Sequence, residues 1–69
     1  MRNSVRDRRA AAGLSQAALA ELIGVSRQTV NAIETGKWDP SLPVALKLAR
    51  TLSTTVEELF DDTEDTEVT

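Results

Sequence analysis

Cysteine, histidine and tyrosine are all missing from this 69-residue chain, and Trp38 and Phe60 are its only aromatics. Without cysteine there is no disulfide, and without cysteine or histidine most routes to a structural metal site are closed. The same absences remove the commonest general base, every thiol nucleophile and any Ser-His-Asp arrangement. Only carboxylate, lysine or serine chemistry would remain, so neither an enzyme nor a bound cofactor or metal is expected. Long apolar runs are missing too. The longest uncharged stretch, residues 10–20, contains Gly13, Ser15 and Gln16. It falls far short of the ~20 apolar residues that span a bilayer, so no membrane partner is expected. Met1 leads into the charged Arg6-Asp7-Arg8-Arg9 with no apolar signal core behind it, which reads as a soluble, cytoplasmic chain.

A chain of this length makes one small domain, which buries only about 60% of the surface its unfolded form exposes. Lacking staples, it must lean on well-packed helices or on oligomerisation, which favours a dimer. Its charge is unevenly divided. Residues 1–50 hold all eight basic residues and four acids (Asp7, Glu21, Glu34, Asp39), a net +4, whereas residues 51–69 hold seven acids and no base, so the total of −3 conceals a basic body with an acidic end. Such asymmetry points to nucleic-acid binding or to an interaction tail.

Ala, Leu, Val and Ile dominate the apolar set, and Gly13, Gly24, Gly36, Pro40 and Pro43 punctuate it at regular intervals. Between these marks the apolar spacing is helical, with no sustained alternation that would predict a strand. A first helix is expected over 4–12, with Asn3 as cap and Gly13 at its left-handed end. A second, over 16–23, has Ser15 as cap and Leu19, Leu22 and Ile23 as its buried stripe. A third, over 27–35, is capped by Ser26, turns Val30 and Ile33 inward and closes at Gly36. Ser41 caps a fourth over 42–52, whose first turn accommodates Pro43; Leu42, Leu46, Ala49 and Leu52 share its inner face, flanked by Val44 and Leu48. Thr55 and Glu58 match a capping box for a short fifth helix over 56–60, with Val56, Leu59 and Phe60 facing the core. Residues 61–69 have no apolar stripe and a high like charge, so the chain divides into a folded domain, 1–60, and an acidic, disordered tail, 61–69. That tail reads as a solubility feature, a segment for a basic partner, or a DNA mimic competing for the basic face. The fold class is all-α, a compact five-helix domain.

The second and third helices are separated by only three residues around Gly24. A turn this tight makes the helices cross steeply, which demands a small residue, Ala20, where one passes over the other, and a φ > 0 residue, Gly24, in the turn. Leu14-Ser15-Gln16-Ala17-Ala18-Leu19-Ala20, followed by the run from Gly24-Val25-Ser26-Arg27 through Glu34-Thr35-Gly36-Lys37, resembles the phage-repressor/Cro-type (xenobiotic-response-element) helix-turn-helix family. The likeness covers roughly residues 3–60. It implies a lambda-repressor-like DNA-binding fold and a dimeric transcriptional regulator, commonly a repressor, on double-stranded DNA with a palindromic operator. The runner-up is a helix-turn-helix protein-interaction module, such as an antitoxin or adaptor.

In this family the third helix enters the major groove. Its outer face here carries Arg27, Gln28, Asn31, Ala32 and Thr35. Arg27 suits guanine and Gln28 adenine, Ala32 a thymine methyl, and Asn31 a base or a phosphate. Gln16 at the start of the second helix, Thr35 and Lys37 are the expected phosphate contacts, with Arg2 and Arg6 as weaker candidates. Trp38 is expected to fill the crevice between the third and fourth helices. The resemblance places Arg9 and Glu34 together as an ion pair. It also marks Arg8 as a departure, since many relatives have Leu there, which leaves the first helix with less apolar surface to dock. Leu52, Val56, Leu59 and Phe60 either pair two subunits or close the core of one.

Overall fold

Serine and threonine hydroxyls start four of the five helices. Ser15 accepts the Ala18 N–H at 3.0 Å, Ser26 that of Thr29 at 3.0 Å, Ser41 that of Val44 at 3.4 Å and Thr55 that of Glu58 at 3.1 Å. Each satisfies a donor that has no partner inside its own helix. In the computed structural model, which describes residues 2–61, these caps precede α2 (Gln16–Ile23), α3 (Arg27–Glu34), α4 (Leu42–Thr51) and α5 (Val56–Leu59); α1 (Val5–Ala11) comes first. The acidic tail expected over 61–69 lies, beyond Asp61, outside the described residues.

Three local details differ from expectation, two of them at caps. The cap position of α1 is Ser4, whose hydroxyl makes no capping bond, while Asn3 one residue earlier accepts the Val5 N–H at 3.1 Å. The capping box of α5 is half formed, because the Glu58 carboxylate takes the Thr54 hydroxyl at 3.0 Å. No strand was expected, yet β1 (Arg2–Asn3) and β2 (Phe60–Asp61) pair antiparallel, Asn3 opposite Phe60. A ladder of two residues per strand is too short to show as alternation. It is continued by Ser4 N–H donating to the Leu59 carbonyl at 2.9 Å, so the start of the chain is tied to the end of α5.

The core is one cluster contributed by all five helices: Val5, Leu19, Ala20, Ile23, Val30, Ile33, Leu48, Ala49, Leu52 and Leu59, with Leu14, Val25, Val44, Val56 and Phe60 packed around it. Two stripes are rotated relative to their expected positions. Leu22 is 60% exposed, and α2 instead buries Leu19, Ala20 and Ile23. At about 100° per residue, Leu22 lies roughly a quarter turn from the centre of that set. Likewise α4 buries Ala45, Leu48 and Ala49, with Leu52 just past its end, leaving Leu42 and Leu46 facing out. In both helices alanines share the buried face with Leu19, Ile23 and Leu48, while Leu22, Leu42 and Leu46 lie outside it.

Between α2 and α3, Gly24 adopts φ +77°, and Val25 N–H reaches back to the Ala20 carbonyl at 3.0 Å. This bond pattern closes α2 and turns the chain within three residues. The α2–α3 pair shares the largest helix–helix contact of the domain, with Ala20 only 4% exposed inside it.

Candidate nucleic-acid interface

α3 is short, with its apolar and polar faces sharply divided. Val30 and Ile33 are 1% exposed, whereas Arg27, Gln28 and Asn31 stand in solvent on the opposite side. Arg27 and Gln28 occupy the first turn, beside the capping Ser26, where the helix N-terminus adds positive potential. With Gln16 and Asn31 they line an open groove of about 320 Å³. A second groove, about 280 Å³, follows α3 towards its C-terminus, lined by Arg6, Arg9, Gln16, Asn31, Glu34 and Thr35. The expected base-reading residues Arg27, Gln28 and Asn31 are thus brought together. Ala32 is half-buried on the flank of the same helix.

The expected phosphate contacts are more varied. Lys37 is exposed just past α3, as are Arg2 and Arg6 near the start of the chain. Thr35 is exposed, but its hydroxyl donates back to the helix, 3.0 Å from the Asn31 carbonyl and 3.2 Å from that of Ala32. Gln16 gives its amide nitrogen to the protein: Nε2 lies 2.9 Å from Glu34 Oε1 and 3.3 Å from Asn31 Oδ1. The first backbone N–H groups of α2 have no acceptor inside the helix, and Ser15 takes that of Ala18. Trp38 does not fill a crevice, since it is 46% exposed.

Behind the grooves lies a polar anchor. Arg9 Nε donates to Glu34 Oε2 at 2.6 Å and Nη2 reaches Oε1 at 3.4 Å, with 15% and 3% of the two side chains exposed. Arg9 Nη1 also donates to the Leu14 carbonyl at 2.8 Å. One buried carboxylate thereby joins α1, α2 and α3. Asn3 Nδ2 adds a bond to the Ile33 carbonyl at 2.8 Å, and Arg8 Nε donates to Ser4 Oγ at 3.0 Å. Only Val5 of α1 is buried, and the Arg9 bonds to Glu34 and to the Leu14 carbonyl hold the helix to its neighbours. No buried side-chain polar atom lacks a partner among the described residues. The Gln16 links were not expected from sequence. Asn31 and Glu34, three apart, share a face of α3, but no pattern in the chain says that Gln16 of another helix will meet both.

The four residues offered as a pairing surface divide. Leu59 is fully buried and Leu52 is 7% exposed within the single chain, so both pack into its own core, Leu52 at the edge of a surface groove. Val56 and Phe60 are half-buried and reach the surface.

The helix-turn-helix family model matches residues 5–59. The chain belongs to that family. Among the similar proteins of this helix-turn-helix chain are an uncharacterized HTH-type transcriptional regulator of Methanocaldococcus jannaschii, 47% identical over 60 residues (87% of this chain, 91% of the relative), and the HTH-type transcriptional regulator YgzD of Bacillus subtilis, also described as uncharacterized, 48% identical over 60 residues with the same coverages. Among solved structures, the restriction-modification controller protein C.AhdI of Aeromonas hydrophila superposes with a TM-score of 0.74 at 45% identity, over 81% of this chain and 85% of that one. A SinR protein/SinI protein complex gives 0.76 at 28% identity, over 90% and 61%. Family, relatives and structural neighbours agree on a DNA-binding transcriptional regulator. Among the described residues no helix is long and apolar enough to cross a membrane.

Proposed function

We propose that this helix-turn-helix protein is a sequence-specific regulator of transcription, a repressor without catalytic activity. It acts in the cytoplasm as a homodimer on a palindromic double-stranded operator. The observation that supports this most is the division of α3: a polar face of Arg27, Gln28 and Asn31 over an open groove, backed by Val30 and Ile33 locked in the core. A helix held so firmly from behind can enter the major groove without deforming. Arg27 would pair with guanine and Gln28 with adenine, while Asn31 and Ala32 complete the base contacts. The start of α2 at Gln16, together with Thr35 and Lys37, would bind phosphates on either side.

One module touches only a few base pairs, and a two-fold dimer would set two copies of α3 about 34 Å apart, one turn of B-DNA. Val56 and Phe60 are the residues of the α5 end that a second subunit could meet. Selection of bound fragments from random DNA at fixed salt tests the reading, and an enriched inverted repeat is the expected result. Arg27→Ala and Gln28→Ala should each then lower affinity for that repeat by about 1–3 kcal/mol with folding intact.

A second reading, a protein-interaction module, draws support from Leu22, Leu42 and Leu46, which are 60%, 65% and 40% exposed. It predicts that neither Arg27→Ala nor Gln28→Ala changes the activity of the protein and that no duplex is preferred.

A further inference from the structure

We infer that Glu34 and Gln16 act as positioning residues that fix the hydrogen-bonding polarity Asn31 offers to a base, turning its amide hydrogens to the groove so that it favours guanine over adenine; this rests on the proposal that α3 reads DNA. A carboxylate can only accept. Glu34 Oε1 therefore requires the amide nitrogen of Gln16, and it has that nitrogen at 2.9 Å. The same nitrogen lies 3.3 Å from Asn31, and because it is a donor it requires the oxygen, Oδ1, of that side chain. The remaining group of Asn31, Nδ2 with its two hydrogens, is left for the groove that Arg27 and Gln28 also line. The chain of polarity thus runs from a carboxylate with 3% of its side chain exposed, itself anchored by Arg9, to an exposed side chain on the outer face of α3.

The consequence is a definite letter preference. An unconstrained asparagine reads adenine bidentately, accepting from N6 and donating to N7. With Oδ1 turned to Gln16, the amide of Asn31 presents its hydrogens to the groove, and the bidentate adenine contact, which needs Oδ1 and Nδ2 aimed together at N6 and N7, is disfavoured. Asn31 can donate to two acceptors on guanine, N7 and O6, to one on adenine (N7) or thymine (O4), and it meets only a donor on cytosine. Glu34 and Gln16 thereby contribute to specificity without Glu34 approaching DNA.

The test is a comparison of base-preference profiles, each position of the selected operator being substituted in turn and binding measured at one salt concentration. Asn31→Ala identifies the position concerned as the one where preference flattens. There the native protein should favour guanine over adenine roughly tenfold. Gln16→Ala, which releases Oδ1, should erase that ratio or turn it towards adenine, with the positions read by Arg27 and Gln28 unchanged. Glu34→Gln should reverse it: its amide would face Gln16 with nitrogen, both amides would turn over, and Oδ1 would point outward. Thermal unfolding checks that each variant is folded; where Glu34→Gln is not, Gln16→Ala decides. A Gln16→Ala profile that superimposes on the native one, or that falls uniformly at all positions as loss of a phosphate contact would, overturns the inference. So does Asn31→Ala flattening no position. A native protein with no preferred sequence at all would instead remove the regulator reading beneath it.

Discussion

Arg9 and Glu34 meet across α1 and α3 with Nε 2.6 Å from Oε2, and the carboxylate keeps only 3% of its side chain exposed. The pair carries further bonds on both sides, to the Leu14 carbonyl and to Gln16. Breaking such a pair on one side leaves a charge buried without its counterpart, which costs about 3–5 kcal/mol. In a domain this small that is a large share of the total stability. Arg9→Ala is expected to be largely unfolded at 37 °C, as read by circular dichroism on heating. Replacing both residues with apolar ones, Arg9→Met with Glu34→Leu, should recover much of the loss; a double variant as unstable as Arg9→Ala would contradict this account.

Asn3 joins the start of the chain to α3 through the Ile33 carbonyl at 2.8 Å and caps α1 through the Val5 N–H at 3.1 Å. Each bond contributes about 0.5–1.5 kcal/mol. Asn3→Ala should therefore lower stability by about 1–2 kcal/mol in urea titration, with an unchanged slope, because the area exposed on unfolding stays the same.

Ser53 has φ +56°, and Thr54 N–H closes α4 on the Ala49 carbonyl at 2.8 Å. A left-handed residue with a Cβ costs about 1–2 kcal/mol, of which glycine returns part through its greater unfolded-state entropy. Ser53→Gly is expected to stabilise by about 0.5–1 kcal/mol and to raise the melting midpoint by a few degrees. Gly24→Ala is the converse. A Cβ there meets nothing within 4 Å, so only the strain of φ +77° is added, about 1–2 kcal/mol, and no clash. Opposite signs for the two substitutions are the result to look for in calorimetry.

Lys37, exposed past the end of α3, should act on DNA differently from Arg27. A phosphate contact releases a counterion whatever the sequence. Lys37→Ala should weaken binding by similar factors on all duplexes and reduce the slope of log affinity against log salt by about one. Arg27→Ala should instead weaken the preferred operator selectively. Competition titrations across a range of salt separate the two.

Most of the helical frame was legible in the chain because it is written in local chemistry. Ser15, Ser26, Ser41 and Thr55 start their helices through bonds to residues three positions on, and Gly13, Gly24 and Gly36 stop theirs with positive φ. The inward position of Val30 and Ile33, and hence the outward one of Arg27, Gln28 and Asn31, follows from helical periodicity alone. Less legible was which flank of a wide apolar surface turns in. In α4 periodicity allowed Leu42 and Leu46 inside, and close packing chose Ala45 and Ala49 instead.

The sequence alone determined where the helices begin and end, that two of them meet in a tight turn over Ala20, and which polar side chains stand on the outer face of α3, because caps, glycines and helical period act within a few residues. Only the tertiary structure decided that Leu52 and Leu59 belong to the subunit's own core, that Arg2 and Asn3 pair with Asp61 and Phe60, and that Gln16 hands its amide to Glu34 and Asn31. Those are meetings between groups far apart in the chain, fixed by which helix packs against which, and no local spacing encodes them.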